Sequence, residues 1–547
     1  MYNLIQIYDG RPFFCVGGDR YFGINCNQER KKCMKILKPG AVRPAGELAV
    51  RAGMSAVRLE APMYSTVQLY DNISKDWQGD FEGRVMLGQA LLAMTTGRTP
   101  AYLDDSMEEL VRHLNEKGYL GPILTDGSFN EQNMSGHGWL LRALCEYYNL
   151  RGYEWIKDIV RGIVNNLFLP AKPYYDSYPI LPGQRQGGGD MSGSNSGQVG
   201  VWRLSTDTGC AYIPIDGVTA AYALTGDEEI GALAEEMIRC FLKIDVTAIS
   251  AQTHATLTAC RGMLRMVELG RTQYLDEVKR LFALYCREGM TPSYENCNWF
   301  GRPEWTEPCA VIDSFMVAMQ LFAHTDDTDY LDIAQRILYN GIFREQRPNG
   351  GFGCQSCATD GVLRIHCNEA YWCCTMRGGE GLSRVAQYSY MLYGNTIVAP
   401  YLGCSRAEIP LNGDIVTIHQ RSDYPYAGCA DFTIEGLSGD GVSLAVYIPA
   451  EHDYRTFALH AGTNHIELRF DISFHSEPAA GVGKGTAYYY GNLLLGAEEG
   501  ASIPADACPE ALGDGAFSLG GVRLEPLCGV FRMEEPKAES YVRRILF

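Results

Sequence analysis

A mainly helical protein with a second, all-β region is the fold class this sequence predicts, and two observations predict it. From about residue 47 to about residue 390, apolar side chains recur at helical spacing, with short polar turns between the runs. After about residue 390 the apolar period drops from about 3.6 to about 2, as in strands with one buried face. At 547 residues the chain exceeds one small core and suggests roughly two to four domains.

Residues 1 to about 35 carry two short β-like pieces, Leu4–Ile7 and Phe13–Val16, then a basic helical stretch from Asn27 to Leu37. Pro39-Gly40 and Pro44-Ala-Gly46 punctuate the exit. Met107, Leu110, Val111 and Leu114 follow the i, i+3, i+4, i+7 rule, as do Ile156, Ile159, Val160, Ile163, Val164 and Leu167, so each of these helices buries one face. Apolar helices end at Thr96-Gly97-Arg98, Leu150-Arg151-Gly152, Thr225-Gly226-Asp227, Leu269-Gly270-Arg271 and Thr325-Asp326-Asp327. Glycine or aspartate there supplies an end cap, and the short connections imply antiparallel neighbours. Such a repeat of helix pairs fits an open solenoid or a closed ring. Its one long interval holds the Gly- and Ser-rich insertion Gly187–Gly197, read as a mobile loop, either a surface linker or a lid over a cleft.

In the β region, Val442, Leu444, Val446 and Ile448 alternate with small or polar residues, and Ile466, Leu468, Phe470, Ile472 and Phe474 do the same. Turns such as Leu437–Gly441 separate them, which indicates an antiparallel β-sandwich. Val522–Leu524 and Tyr541–Phe547 are its expected closing strands. The partition is then 1–38, whose strands join the sandwich, 39–390, helical, and 391–547, the β-sandwich.

A net charge of −18 and a pI near 5.1 argue against nucleic acid or an anionic membrane as partner, since both need a positive surface. No run approaches the roughly 18 apolar residues of a membrane helix. The first residues lack a basic stretch followed by an apolar one, so the expected location is cytoplasmic. The 19 cysteines are an odd number scattered through helix and strand, which suits reduced thiols, most of them small buried hydrophobes and a few metal-binding or catalytic.

Chemistry concentrates between Tyr294 and Arg384. Glu307 and Cys309 sit two apart, and Cys373 and Cys374 are adjacent. Three thiolates and a carboxylate form a plausible tetrahedral zinc set, and adjacent cysteines reach one ion only from a loop or helix start. A group of buried thiols is the plainer alternative. Cys354-Gln-Ser-Cys357, with His366-Cys367 beyond it, is a rival structural zinc knuckle.

The Glu307-Pro-Cys309 motif with the helix after it, together with Cys373-Cys374, resembles glycoside hydrolase family 127, the β-L-arabinofuranosidase-like group. Ser135-Gly-His137, Thr253-His254-Ala255, the run Tyr330–Gly341 and the segment Gly413–Tyr426 extend the likeness over most of the chain. The resemblance implies an (α/α)6 barrel catalytic domain over 39–390 with a β-sandwich. It implies zinc on Glu307, Cys309, Cys373 and Cys374, with Cys373 the nucleophile of a retaining glycoside hydrolase. A zinc-bound thiol is a thiolate at neutral pH and can attack an anomeric carbon, and a carboxylic acid then protonates the leaving oxygen and later activates water. That acid lies a short way upstream of Glu-x-Cys in the family. Glu295, among aromatic neighbours, is preferred, with Glu304 the alternative.

His137 and His254 would bind substrate hydroxyls, and Trp299, Trp305 and Trp372 would stack on a sugar, Trp372 being the best placed. The chain departs from the family at Thr375–Glu380, where Pro-Pro-Asn is usual, and at Ala211-Tyr212, where a third histidine is expected. These changes bear on which sugar is bound. The expected substrate is β-L-arabinofuranose or a related sugar on a plant-type glycan, and a homo-oligomer stays open. Two other classes stand beside this one: a non-catalytic carbohydrate-binding protein with a structural zinc, and another α-toroid enzyme such as a polysaccharide lyase or uronide hydrolase.

Overall fold

The computed structural model describes residues 33–71, 76–184, 193–528 and 542–547. Six helices in it are buried on nearly every side: Asp80–Thr96, Glu131–Arg151, Pro214–Thr225, Thr253–Glu268, Pro308–Thr325 and Cys374–Gln387. Each packs against the next in sequence, and the sixth packs against the first. The repeat therefore closes into a ring rather than an open solenoid. Amphipathic helices alternate with them on the outside: Leu103–His113, Trp155–Ile163, Glu228–Phe241, Leu275–Glu288 and Asp329–Arg336. The sixth outer position is filled from the other end of the domain by Gly46–Arg58, which packs on the sixth inner helix.

The end caps stand at the expected turns. Gly97, Gly152, Gly226 and Asp326 close their helices at φ of 76°, 72°, 66° and 59°. Glycine also sets the ring's tightness. A Cβ on Gly83 would lie 2.4 Å from Leu140 N, and one on Gly217 would lie 2.3 Å from Gly138 O. Inner helices thus meet backbone to backbone. The outer helix at Trp155 runs on past Ile163 as a π-turn, Val164–Phe168, so the expected stripe to Leu167 is carried by two kinds of helix.

Beyond the ring lie three sheets. One combines strands Met391–Tyr393, Thr396–Ala399, Val442–Ile448 and Asp453–Leu459. A second combines Ser405–Leu411, Asp414–Ser422, Cys429–Leu437 and Gly462–Arg469, and a third has six short strands between Phe474 and Pro526. Pairing is antiparallel except for Val442–Ile448, which runs parallel to Thr396–Ala399. The N-terminal segment adds a fifth strand to each of the first two sheets: Lys35 and Ile36 pair with Leu392 and Met391, and Val42–Pro44 pairs with Ala407–Ser405.

Several expectations need correction. Of the expected helix Asn27–Leu37 only 33–37 is described, and there Lys35–Ile36 is a strand, because the edge at Met391–Tyr393 offers its backbone partners. Leu4–Ile7 and Phe13–Val16 lie outside the described residues. So does 187–192 of the Gly-rich insertion. Its remainder is ordered into a hairpin, Asn195–Val199 against Trp202–Ser205, rather than a loop. The alternation from Ile466 to Phe474 is two strands, since the chain leaves the second sheet after Arg469 and enters the third at Phe474. Val542–Arg544 pairs with Val362–Arg364, in the loop ahead of the sixth inner helix, and the same segment also joins the β region as expected, Arg544 exchanging backbone hydrogen bonds with Ala497 and Phe547 with Thr486. No helix among the described residues is long and apolar enough to cross a membrane.

Candidate metal centre and active site

The four-donor cluster and its neighbours sit on the starts of inner helices, while Glu295, Trp299, Glu304 and Trp305 lie in the loop that leads into the fifth. Glu307 is the N-cap of the fifth helix, with Pro308 and Cys309 in its first turn. Cys373 is the N-cap of the sixth, and Cys374 its first residue. His254 stands in the first turn of the fourth and Asp80 opens the first. The positive ends of these helix dipoles face the thiols and carboxylates, which favours their ionised forms.

The donor atoms of Glu307, Cys309, Cys373 and Cys374 all lie within 4.8 Å of one another. Cys309 Sγ is 3.4 Å from Cys373 Sγ and 3.8 Å from Cys374 Sγ, and Cys373 Sγ is 3.8 Å from Glu307 Oε1. Sulfurs bound tetrahedrally at roughly 2.3 Å from zinc stand about 3.8 Å apart, so this donor set fits the ion. Hydrogen bonds from the Cys309 and Cys374 thiols hold Cys373 well below the ordinary thiol range, against the effect of burial and with help from Arg84 and His254. Burial pushes Cys309 and Cys374 well up. The cluster thus concentrates its first negative charge on Cys373, the one sulfur of the three that is only half-buried.

Glu307 is fixed from three sides. Its backbone N–H donates to Asn296 Oδ1 at 2.7 Å, Gln252 Nε2 donates to its Oε2 at 3.3 Å, and His254 Nδ1 lies 3.2 Å from its Oε1. The other His254 nitrogen lies 3.3 Å from Asp313 Oδ2. Burial alone would depress His254, but Glu307 and Asp313 outweigh it and raise the imidazole to about 9. His254 therefore supports Glu307, a member of the four-donor cluster. His137 is a different case: Leu120 N–H donates to its Nε2 at 2.9 Å and its Nδ1–H donates to Asn133 O at 2.8 Å. Both nitrogens are spent on backbone, and burial lowers its pKa to about 4.

Glu295 is wholly enclosed. Ser293 Oγ donates to it at 2.5 Å, Glu345 lies beside it, and burial raises it to about 7. Glu304 is solvent-facing and paired with Arg302 at 2.6 Å. Trp299 is buried, covered by Arg302 at 4.4 Å, and meets Trp305 edge-on, so it offers no free face to a sugar. Trp305 stacks on His366 at 5.3 Å. Trp372 is 54% exposed and stands next to Cys373. The rival cysteine set does not assemble among the described residues. Cys357 turns instead to Cys297 and to the Asn296 carbonyl at 3.8 Å, while Cys354 lies near Cys374.

Several residues at the site carried no motif in the sequence. Arg84 Nη1 donates to Cys309 Sγ at 3.2 Å, and its guanidinium lies 4.4 Å above Trp139. Gln252 had one available signal, its place directly before Thr253-His254. Behind the site the ring's axis is filled by ion pairs: Asp313 with Arg261 and Arg377, Glu380 with Arg142, Arg261 and Arg377, Asp216 with Arg142 and Arg265, and Glu146 with Arg384.

Residues 217–387 match the family model of the beta-L-arabinofuranosidase, GH127 catalytic domain. That span includes every member of the four-donor cluster. Among solved structures the chain is similar to a GH127 beta-arabinofuranosidase at 12% identity, covering 94% of this chain and 97% of that one with a TM-score of 0.69. It is also similar to a GH127 beta-L-arabinofuranosidase from Geobacillus stearothermophilus at 14% identity, covering 90% and 98% with a TM-score of 0.66. A protein described as a glycoside hydrolase matches equally well, at 14% identity, 92% and 96% coverage and a TM-score of 0.66. These likenesses carry the fold, an α/α barrel with a β-sandwich. No curated relative matches in sequence.

Proposed function

From its membership of the GH127 family of glycoside hydrolases, we infer that this chain is a retaining enzyme with a metal-supported cysteine nucleophile. Its proposed substrate is a β-L-arabinofuranoside or a related sugar on a plant-type glycan, and the ring over 39–390 is its catalytic part. One observation carries the reading: a carboxylate and three thiols converge at the mouth of the ring, with Cys373 the least enclosed of the three thiols.

Glu307, Cys309, Cys373 and Cys374 would hold zinc, which when bound keeps the thiols ionised at neutral pH. Cys373 Sγ attacks the anomeric carbon, forming a C–S bond as the glycosidic C–O bond breaks. The leaving oxygen takes a proton from an acid, for which Glu295 is proposed because burial holds it protonated up to about 7. Water then attacks the same carbon, the carboxylate accepts its proton, and the thiolate departs; two inversions give net retention. Glu304 is the alternative acid, and its access to solvent is what favours it. Trp372 is proposed as the sugar platform, while His254 and His137 act through Glu307 and through the Leu120 backbone. Buried thiols such as Cys145, Cys260 and Cys297 suit a reducing, cytoplasmic setting.

The test is Cys373→Ser with zinc quantified on both proteins and turnover followed on aryl β-L-arabinofuranosides. Hydrolysis should fall below about one-thousandth with the fold retained, and the wild type should carry about one zinc per chain. Full turnover by Cys373→Ser would end the nucleophile assignment. Zinc that survives replacement of both Cys373 and Cys374 would move the metal elsewhere.

A further inference from the structure

Three sulfurs meet at this centre, and their surroundings differ. Cys373 is only half-buried, Cys374 begins a helix, and Cys309 is enclosed. Among the described residues, Cys309 is the sulfur that receives a hydrogen bond from a cation, from Arg84 Nη1 at 3.2 Å. Arg84 has little freedom to do otherwise. Its Nε and Nη2 donate to the two oxygens of Asp80 at 2.8 and 3.0 Å, its guanidinium lies on the face of Trp139, and it is 4% exposed. Arg377 lies against the same indole, also at 4.4 Å, which fixes Trp139 in turn.

Three thiolates and a carboxylate carry more negative charge than a divalent cation cancels, and buried excess charge needs a partner. Among the described residues, the Arg84 guanidinium touches the donor set at Cys309 and the His254 imidazole at Glu307. We propose that Arg84, locked by Asp80 and Trp139, is a positioning residue that holds Cys309 as the spectator thiolate and so leaves Cys373 as the reactive one. The proposal rests on the cysteine-nucleophile reading. A charge-assisted N–H···S bond draws electron density from Cys309 and fixes its orientation, so its role as a ligand is steady and its nucleophilicity low. No guanidinium or ammonium hydrogen bond reaches Cys373 Sγ among the described residues.

The experiment compares Arg84→Met and Arg84→Lys with wild type in three measurements: the sulfur-to-metal charge-transfer band of the cobalt(II) protein, zinc affinity by chelator competition, and kcat and KM on an aryl β-L-arabinofuranoside. Arg84→Met should shift the band, weaken zinc about 10- to 100-fold and lower kcat more than KM. Arg84→Lys should recover much of each, because charge is kept and only the fork is lost. An unchanged band with unchanged zinc affinity in Arg84→Met overturns the proposal. If Arg84→Met does not fold, Asp80→Asn, which frees the guanidinium without removing it, must move band and affinity in the same direction, and its failure to do so is equally decisive. Cys373→Ser separates the two readings: if that variant is active while Arg84→Met still shifts the band, the nucleophile assignment falls and the hold of Arg84 on Cys309 stands.

Discussion

At the scale of single residues, the acid is where chemistry and access pull apart. Glu295 has the protonation a general acid needs, yet it is sealed beside Ser293 and Glu345, whereas Glu304 faces water with Arg302 as its partner. A general acid works protonated, so with Glu295 in that role kcat/KM should fall as pH rises through about 7. Glu295→Gln should abolish that alkaline limb and slow substrates with poor leaving groups about 10²- to 10⁴-fold, while activated aryl glycosides suffer much less in the bond-breaking step. A pH–rate series on Glu295→Gln and Glu304→Gln decides between them, since the limb must vanish with the residue that causes it. The four-donor cluster was legible because its members come as close pairs, Glu307 with Cys309 and Cys373 with Cys374, each on a helix start. Arg84 and Asp313 were not, because a charged residue inside a helical run reads as a solvated face until the fold buries it. Sequence context likewise made His137 and His254 look alike, although one is tied to backbone and the other to the Glu307 carboxylate.

At the scale of elements, the inner helices are shaped by where a side chain is absent. Gly217 of the third inner helix meets the carbonyl of Gly138 in the second, and a methyl there would sit 2.3 Å from that oxygen. Backbone cannot swing aside as a side chain does, so Gly217→Ala should destabilise the protein by about 1–3 kcal/mol or more through overpacking. The matched control is Gly53 on the outer helix Gly46–Arg58, where a new Cβ would meet nothing within 4 Å. Gly53→Ala should be neutral or stabilising by up to about 1 kcal/mol through helix propensity. Urea midpoints of both variants test the pair, and equal effects would remove the close-approach argument. The helix ends were readable because a cap is local: Gly97, Gly152 and Gly226 announce themselves next to the runs they close. The break between Arg469 and Phe474 was not readable, since the alternation continues unbroken while the chain changes sheet. Nor was the strand at Lys35–Ile36, whose partner lies more than 350 residues away in sequence, at Met391 and Leu392.

At the scale of the whole molecule, the ring's centre is charged, and Asp313 links it to the mouth that holds the four-donor cluster through His254. Periodicity predicts buried faces, but it does not say that the space enclosed by six such helices will hold ion pairs. Arg261 is the hub: it reaches Asp313 at 2.6 Å, Glu380 at 2.9 Å and Asp216 at 3.3 Å, and it is 1% exposed. Burial alone would raise Asp313 and Asp216, but Arg377 and Arg261 at the first, and Arg142 and Arg261 at the second, hold both carboxyls well below the usual range. A carboxylate depressed in the folded state contributes stability that is fully present above its unfolded pKa, about 3.9, and lost as pH falls through the depressed value. Arg261→Met strands three carboxylates with fewer cations, so it should destabilise the protein by about 3–5 kcal/mol near neutral pH. Because the variant also loses part of what depresses Asp216 and Asp313, its stability should depend less on acid. The gap from wild type is therefore widest near pH 7 and narrows below about pH 4. Denaturant midpoints of the two proteins between pH 7 and pH 3 measure that gap directly. A gap that stays constant across the range would mean that Arg261 stabilises the ring by packing, and that the central carboxylates draw their low pKa values from the remaining arginines.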